Sequence, residues 1–150
     1  MRIFVYEHIT GGGMLDEPQV AALAPEGEMM LRALVDDLTA VPGVEVTVMR
    51  DFRLKADLSA RIFVVRVGQF DAVFRQAVQE CDAVWPIAPE QDDILSRITR
   101  EILACRRTLL GNRPDAIAIA TSKRATAVTL ARAGSQWLPS IRASAICHRS

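Results

Sequence analysis

One run of residues, RIFVYEH from Arg2 to His8, constrains this chain most. It is β-branched and aromatic and lacks the polar alternation of a half-exposed strand. It therefore predicts a strand buried on both faces, which needs packed layers above and below its sheet. The rest of the chain supplies matching pieces. VEVTVMR (Val44 to Arg50) alternates with period two, and RIFVVRV (Arg61 to Val67), AVWPIA (Ala83 to Ala88) and TLLG (Thr108 to Gly111) read as further strands. Pro86 gives up a ladder hydrogen bond and marks a strand end or an edge. Between the strands, apolar residues recur at helical spacing. Met30, Leu31, Leu34, Val35, Leu38 and Val41 predict a helix over Glu26 to Val41, stopped by Pro42 and Gly43. Phe70, Val73, Phe74, Ala77, Val78 and Cys81 trace a second helix face, and Leu95, Ile98, Ile102 and Leu103 a third. Strands alternating with helices imply βαβ units, hence an α/β fold. The expected form is a Rossmann-like open, mainly parallel sheet of about 4–5 strands with helices on both faces.

The remaining segments read as connections. TGGGMLDEPQVAALAP, broken by three glycines and by Pro18 and Pro25, is expected to be a loop. DFRLKADLSA is a polar link. Asn112 is the expected N-cap of a short helix PDAIAIAT, with Pro114 in its first turn and Asp115 beside it. Ser122 caps a further helix that ends at Gly134. Trp85, inside a strand, is expected in the core. SQWLPSIRASAICHRS, after Gly134, has no clear pattern beyond a short strand and is expected to be poorly ordered.

Composition excludes several classes. Lysine plus arginine and aspartate plus glutamate both number 18, so no global field draws nucleic acid or an anionic membrane. No apolar run approaches the roughly 18–20 residues of a membrane span. Cys81, Cys105 and Cys147 form no CxxC unit, and His8 and His148 add no zinc-like spacing, so no metal site is expected. Buried thiols in a reducing, cytoplasmic setting fit this pattern, and the opening apolar stretch is too short for a signal peptide, so none is expected.

In an open parallel sheet, ligands collect outside the carboxyl ends of the strands. That rule selects Glu7, His8, Thr10, Gly11, Gly12 and Gly13 after the first strand, and Pro89 to Asp93 after the fourth. Three glycines leave backbone N–H groups open to a carboxylate or phosphate, yet serve equally as a lid or a turn. Glu90 reads as a helix-start carboxylate or as a substrate contact. Asp92 and Asp93 read as capping and first-turn residues. His8 can titrate near neutrality or be structural. Lys123 is a cation at a helix start, where a bound anion would suit it, though a surface lysine reads the same way.

IFVYEHITGGGM resembles the opening of ATP-grasp proteins of the tyramine–glutamate ligase type, linked to methanofuran biosynthesis and to C1-carrier (tetrahydromethanopterin) pathways. WPIAPEQDDIL resembles that family's strand–turn–helix before its substrate loop. LLGNRPDAIAIATSKRATAVTLARAG resembles the stretch entering the ATP-grasp region, with Lys123 and Thr126 in the lysine and threonine places and Ser122 where an aspartate is usual. The resemblance implies a pre-ATP-grasp domain over residues 1–120 and a truncated start of the ATP-grasp region over 121–150. It implies a small amino-acid or amine substrate held by Glu7, His8, Thr10, Gly11 to Gly13 and Glu90, with Lys123 at the edge of a nucleotide site. ATP and Mg²⁺ would serve the complete enzyme, an acyl-phosphate carboxylate–amine ligase, and this chain alone would be inert. A homodimer, or a second chain carrying the remainder, would complete it. Two other readings stay open: a small-anion-binding or regulatory homodimer, and a small enzyme with His8 and Glu90 as an acid–base pair.

Overall fold

A computed structural model describes residues 1–135; Trp137, Cys147, His148 and the short strand considered after Gly134 lie outside the described residues. Five strands form one parallel sheet: β1 (Arg2–Glu7), β2 (Glu45–Asp51), β3 (Arg61–Val65), β4 (Ala83–Ile87) and β5 (Thr108–Leu109), in the order β3-β2-β1-β4-β5. β1 is central, as its uninterrupted apolar run requires. Pro86 stands near the end of β4, beyond Ala83 and Val84, the two residues that pair with β5. β4 is therefore not an edge.

The helices are α1 (Val20–Thr39), α2 (Phe70–Glu80), α3 (Ile94–Ala104), α4 (Pro114–Ala120) and α5 (Lys123–Arg132). On one sheet face Ile3, Val5, Val46 and Val48 pack with Leu31 and Val35 of α1, joined by Leu58 and Ala60 of the link between β2 and β3. On the other, Phe4, Tyr6, Met49, Val65 and Val84 pack with Phe74, Ala77 and Val78 of α2 and Ile98 and Ile102 of α3. Both faces of β1 are thereby dry, and the expected architecture is the observed one. α4 packs on α3 through the buried Ile117, and α5 on α4.

Several local expectations are corrected. α1 starts six residues before Glu26 and contains Pro25, because Val20, Ala24, Gly27, Leu31 and Val35 form one buried stripe that passes through the proline. The N-cap of α4 is Arg113, not Asn112, and no side chain caps it. Trp85 is 37% exposed rather than core. It pairs in register with Val5 on the α1 face, but α1 covers β1 and β2 and leaves that part of β4 open. Asp92 and Asp93 form a 3-10 turn with Gln91, and both have left-handed φ (54° and 58°), which aspartate tolerates better than most residues. Asp93 holds the N-cap place of α3, and its carboxylate accepts from Arg100 at 2.9 Å. The end of α5 follows expectation. Gly134 has φ +73°, its N–H bonds Ala131 O at 3.1 Å, and Ser135 N bonds Leu130 O at 3.0 Å, a Schellman closure.

Candidate functional site

β1 leads to α1 on one face, while β4 leads to α3 on the other. A strand order that reverses between neighbours opens a crevice at their carboxyl ends. A cavity of about 560 Å³ lies there. His8, Gly12, Gly13, Leu15 and Asp16 border it from the loop after β1, Phe70, Asp71, Phe74 and Arg75 from α2, and Ile94, Arg97, Ile98 and Glu101 from α3. Its floor is aromatic and aliphatic; its polar groups carry both signs.

The loop after β1 is a packed turn. Glu7 is buried, and its carboxylate accepts from Ile9 N at 3.0 Å and from Thr10 N and Thr10 Oγ1, both at 2.7 Å. Thr10 is fully buried, and its carbonyl accepts from Asp51 N at 2.7 Å, tying the loop to β2. Gly11 N donates to Glu7 O and Gly13 N to His8 O, each at 2.8 Å. The N–H groups of Gly11 and Gly13 are thus taken up within the turn. Its glycines answer a need for space: Gly12 has φ +87° and sits against Val65, and a Cβ on Gly13 would lie 2.1 Å from His8 Nδ1. Glu7, Thr10 and Gly11 thus shape the loop, and His8, Gly12 and Gly13 reach the cavity.

His8 is buried, and its Nδ1 lies 3.1 Å from the Tyr6 hydroxyl. Burial holds the imidazole below its ordinary pKa; the neighbouring Glu7 opposes this and Arg97 adds to it. Burial likewise pushes the Tyr6 phenol far up, so it stays protonated. Arg75 pairs with Glu101 at 3.0 Å, whereas Arg97 has no ion pair among the described residues. Sequence reading missed Asp16, Asp71, Arg75, Arg97 and Glu101, because each looks like an ordinary polar residue of a loop or of the solvated face of an amphipathic helix. Only the packing of α2 beside α3 turns those faces toward one space.

Glu90 borders a second, shallower depression with Gln91, Asp92, Asp93 and Thr121, apart from His8. The two side chains share no cavity, so the acid–base pairing considered above has no geometry to support it. Lys123 is exposed at the first position of α5, where Ser122 Oγ accepts from Ala125 N at 3.2 Å as the expected cap. It borders neither depression. Among the described residues no three His, Cys, Asp or Glu side chains gather as a metal site. No described helix is long and apolar enough to cross a membrane.

These features define a Rossmann-like α/β domain with a cavity at its switch point. Residues 44–117 match the model of the pre ATP-grasp 3 domain. A crystal structure of a protein from Archaeoglobus fulgidus, assigned to the ATP-grasp superfamily, shares the fold with a TM-score of 0.68 and 20% identity. The match covers 88% of this chain but 40% of that one, so the chain spans well under half of that protein's length. No curated protein matches the chain.

Proposed function

We propose that this chain is the substrate-side domain of an ATP-dependent carboxylate–amine ligase of C1-carrier cofactor biosynthesis. The observation that carries the reading is the switch-point cavity, which places Arg97 in one space with Asp16 and Asp71. A cation and two carboxylates around an apolar floor suit a small amino acid, whose carboxylate and ammonium need opposite partners. The pathway rests on the resemblance of IFVYEHITGGGM and WPIAPEQDDIL to ligases of the tyramine–glutamate type. ATP would supply the phosphoryl group that activates a carboxylate. The residues of this chain would bind, orient and shield the substrate, and Lys123 would lie at the border of the nucleotide region. Calorimetric titration of the purified chain with L-glutamate, tyramine and Mg-ATP tests this. Saturable binding of glutamate that Arg97→Ala weakens about tenfold or more through loss of a charged contact, or of tyramine through its ammonium, supports it. Absence of binding by both compounds overturns it.

A second reading, a self-associating anion-binding or regulatory module, is favoured by α5. That helix buries no residue and leaves Val128 and Leu130 exposed, and Ile119 of α4 is exposed as well. Light scattering decides it: a stable dimer that Val128→Glu dissociates supports this reading, and a monomer at high concentration removes it.

A further inference from the structure

We propose that the buried Tyr6 hydroxyl locks the His8 imidazole in its Nε2–H tautomer, so that the cavity meets its ligand with a neutral hydrogen-bond donor beside the Arg97 guanidinium. Such a pair takes an anionic oxygen, here the carboxylate of the substrate. The donor role rests on the cavity being the substrate cleft; the tautomer does not.

The argument starts from Tyr6. It is fully buried, with the rings of Phe4, Phe70 and Phe74 around it, and its hydroxyl has one partner among the described residues, His8 Nδ1 at 3.1 Å. A phenol proton in an aromatic pocket must be donated somewhere, because an unpaired buried donor is disfavoured. If Nδ1 carried the proton, two donors would face each other or the hydroxyl proton would turn toward hydrocarbon. Nδ1 is therefore the acceptor. A neutral imidazole carries one proton, which then sits on Nε2. Burial and Arg97 favour that neutral form, while Glu7 opposes it with a carboxylate already committed to Ile9 and Thr10. Gly13 lies against the Nδ1–Cε1 part of the ring, where any larger residue would overlap it.

Asp16, Asp71 and the Arg75–Glu101 pair are the other charged groups bordering the same space. Among all of these groups, only Nε2–H and Arg97 offer donors not already in an ion pair. With Nδ1 occupied and Nε2 protonated, His8 has no free lone pair for a general base. It is a binding residue, and Tyr6 is its positioning residue.

The test is a long-range ¹H–¹⁵N spectrum of the imidazole in the full chain near neutral pH, with His148→Gln leaving a single histidine. A protonated Nε2 with an unprotonated Nδ1 is expected; the opposite tautomer, or an averaged pair, overturns the proposal. L-Glutamate is then expected to shift the Nε2 signal and tyramine, which has no carboxylate, to leave it in place. Tyr6→Phe, with its fold checked by circular dichroism, should give a mixture of tautomers and weaken glutamate binding by the inverse of the fraction left as Nε2–H, about twofold for an even mixture. If glutamate moves the backbone signals of Asp71 and Arg97 but not His8 Nε2, the donor role is overturned and the cleft stands. If neither compound moves any signal, the cleft fails and the donor role with it, whatever the tautomer.

Discussion

Glu7 and Gly27 show how far a residue's role depends on what lies beside it. Both are ordinary in sequence, a carboxylate ending a strand and a glycine within a helix. In the fold, a Cβ on Gly27 would lie 2.5 Å from Glu7 Oε2. Exchange of a mid-helix glycine for alanine normally stabilises by about 1 kcal/mol. Gly27→Ala should invert that sign and destabilise by about 1–3 kcal/mol through overpacking, read as a lower midpoint in urea. Glu7→Gln would place an amide N–H₂ against donors that need acceptors. A loss of about 1–3 kcal/mol is expected, with the β1 loop losing protection first. His8 contributes a pH dependence of definite sign. Its folded-state pKa lies below the ordinary value of about 6.5, so the unfolded chain takes up the proton first as pH falls. Its contribution is complete above that pH and is lost as pH drops toward the folded value. Thermal melts should show a fall in Tm between about pH 7 and pH 5.5 that His8→Gln reduces; equal slopes for both proteins would contradict the burial of the imidazole.

At the scale of elements, a local stop signal yields when a longer stripe continues past it. Pro25 and Pro18 argued for a loop, yet α1 runs through Pro25 because Val20 and Ala24 extend its buried face by one turn and more. One missing hydrogen bond weighs less than two further buried side chains. The link between β2 and β3 shows the complementary case. It contains no helix, and Arg53 holds it in place by pairing with the fully buried Asp51 at 2.6 Å and donating to Met14 O at 3.1 Å. The same guanidinium thus joins this link to the loop that walls the cavity. Asp51 is fully buried, so removing its partner would leave an uncompensated buried carboxylate. Arg53→Ala should lower the midpoint of chemical denaturation and weaken glutamate binding, whereas Arg61→Ala, at an exposed pair, should do neither.

For the whole molecule, the order of the sheet sets the order of stability. β1 has neighbours on both sides and dry packing on both faces, while β5 is two residues long and α5 buries nothing. Native-state hydrogen exchange should find the slowest amides in β1 and β2 and the fastest among the helices in α5. Comparable protection in α5 would mean that this helix is covered by a partner in solution.

What the sequence by itself determined is the set of elements and their layering. A strand apolar on both faces, followed by alternating helix and strand periods, has few solutions other than a central parallel strand between two helical layers. It also determined that the loop after that strand matters, because three glycines in a row require close packing or an unusual backbone. Only the tertiary structure decided which polar groups meet. Glu7 and Thr10 lie buried as loop anchors, while Asp71 and Arg97, which the sequence does not single out, line the cavity. The physical reason is that periodicity reports how much of a residue is buried, which local sequence encodes. The company a polar side chain keeps depends on the packing of helices that are far apart in the chain.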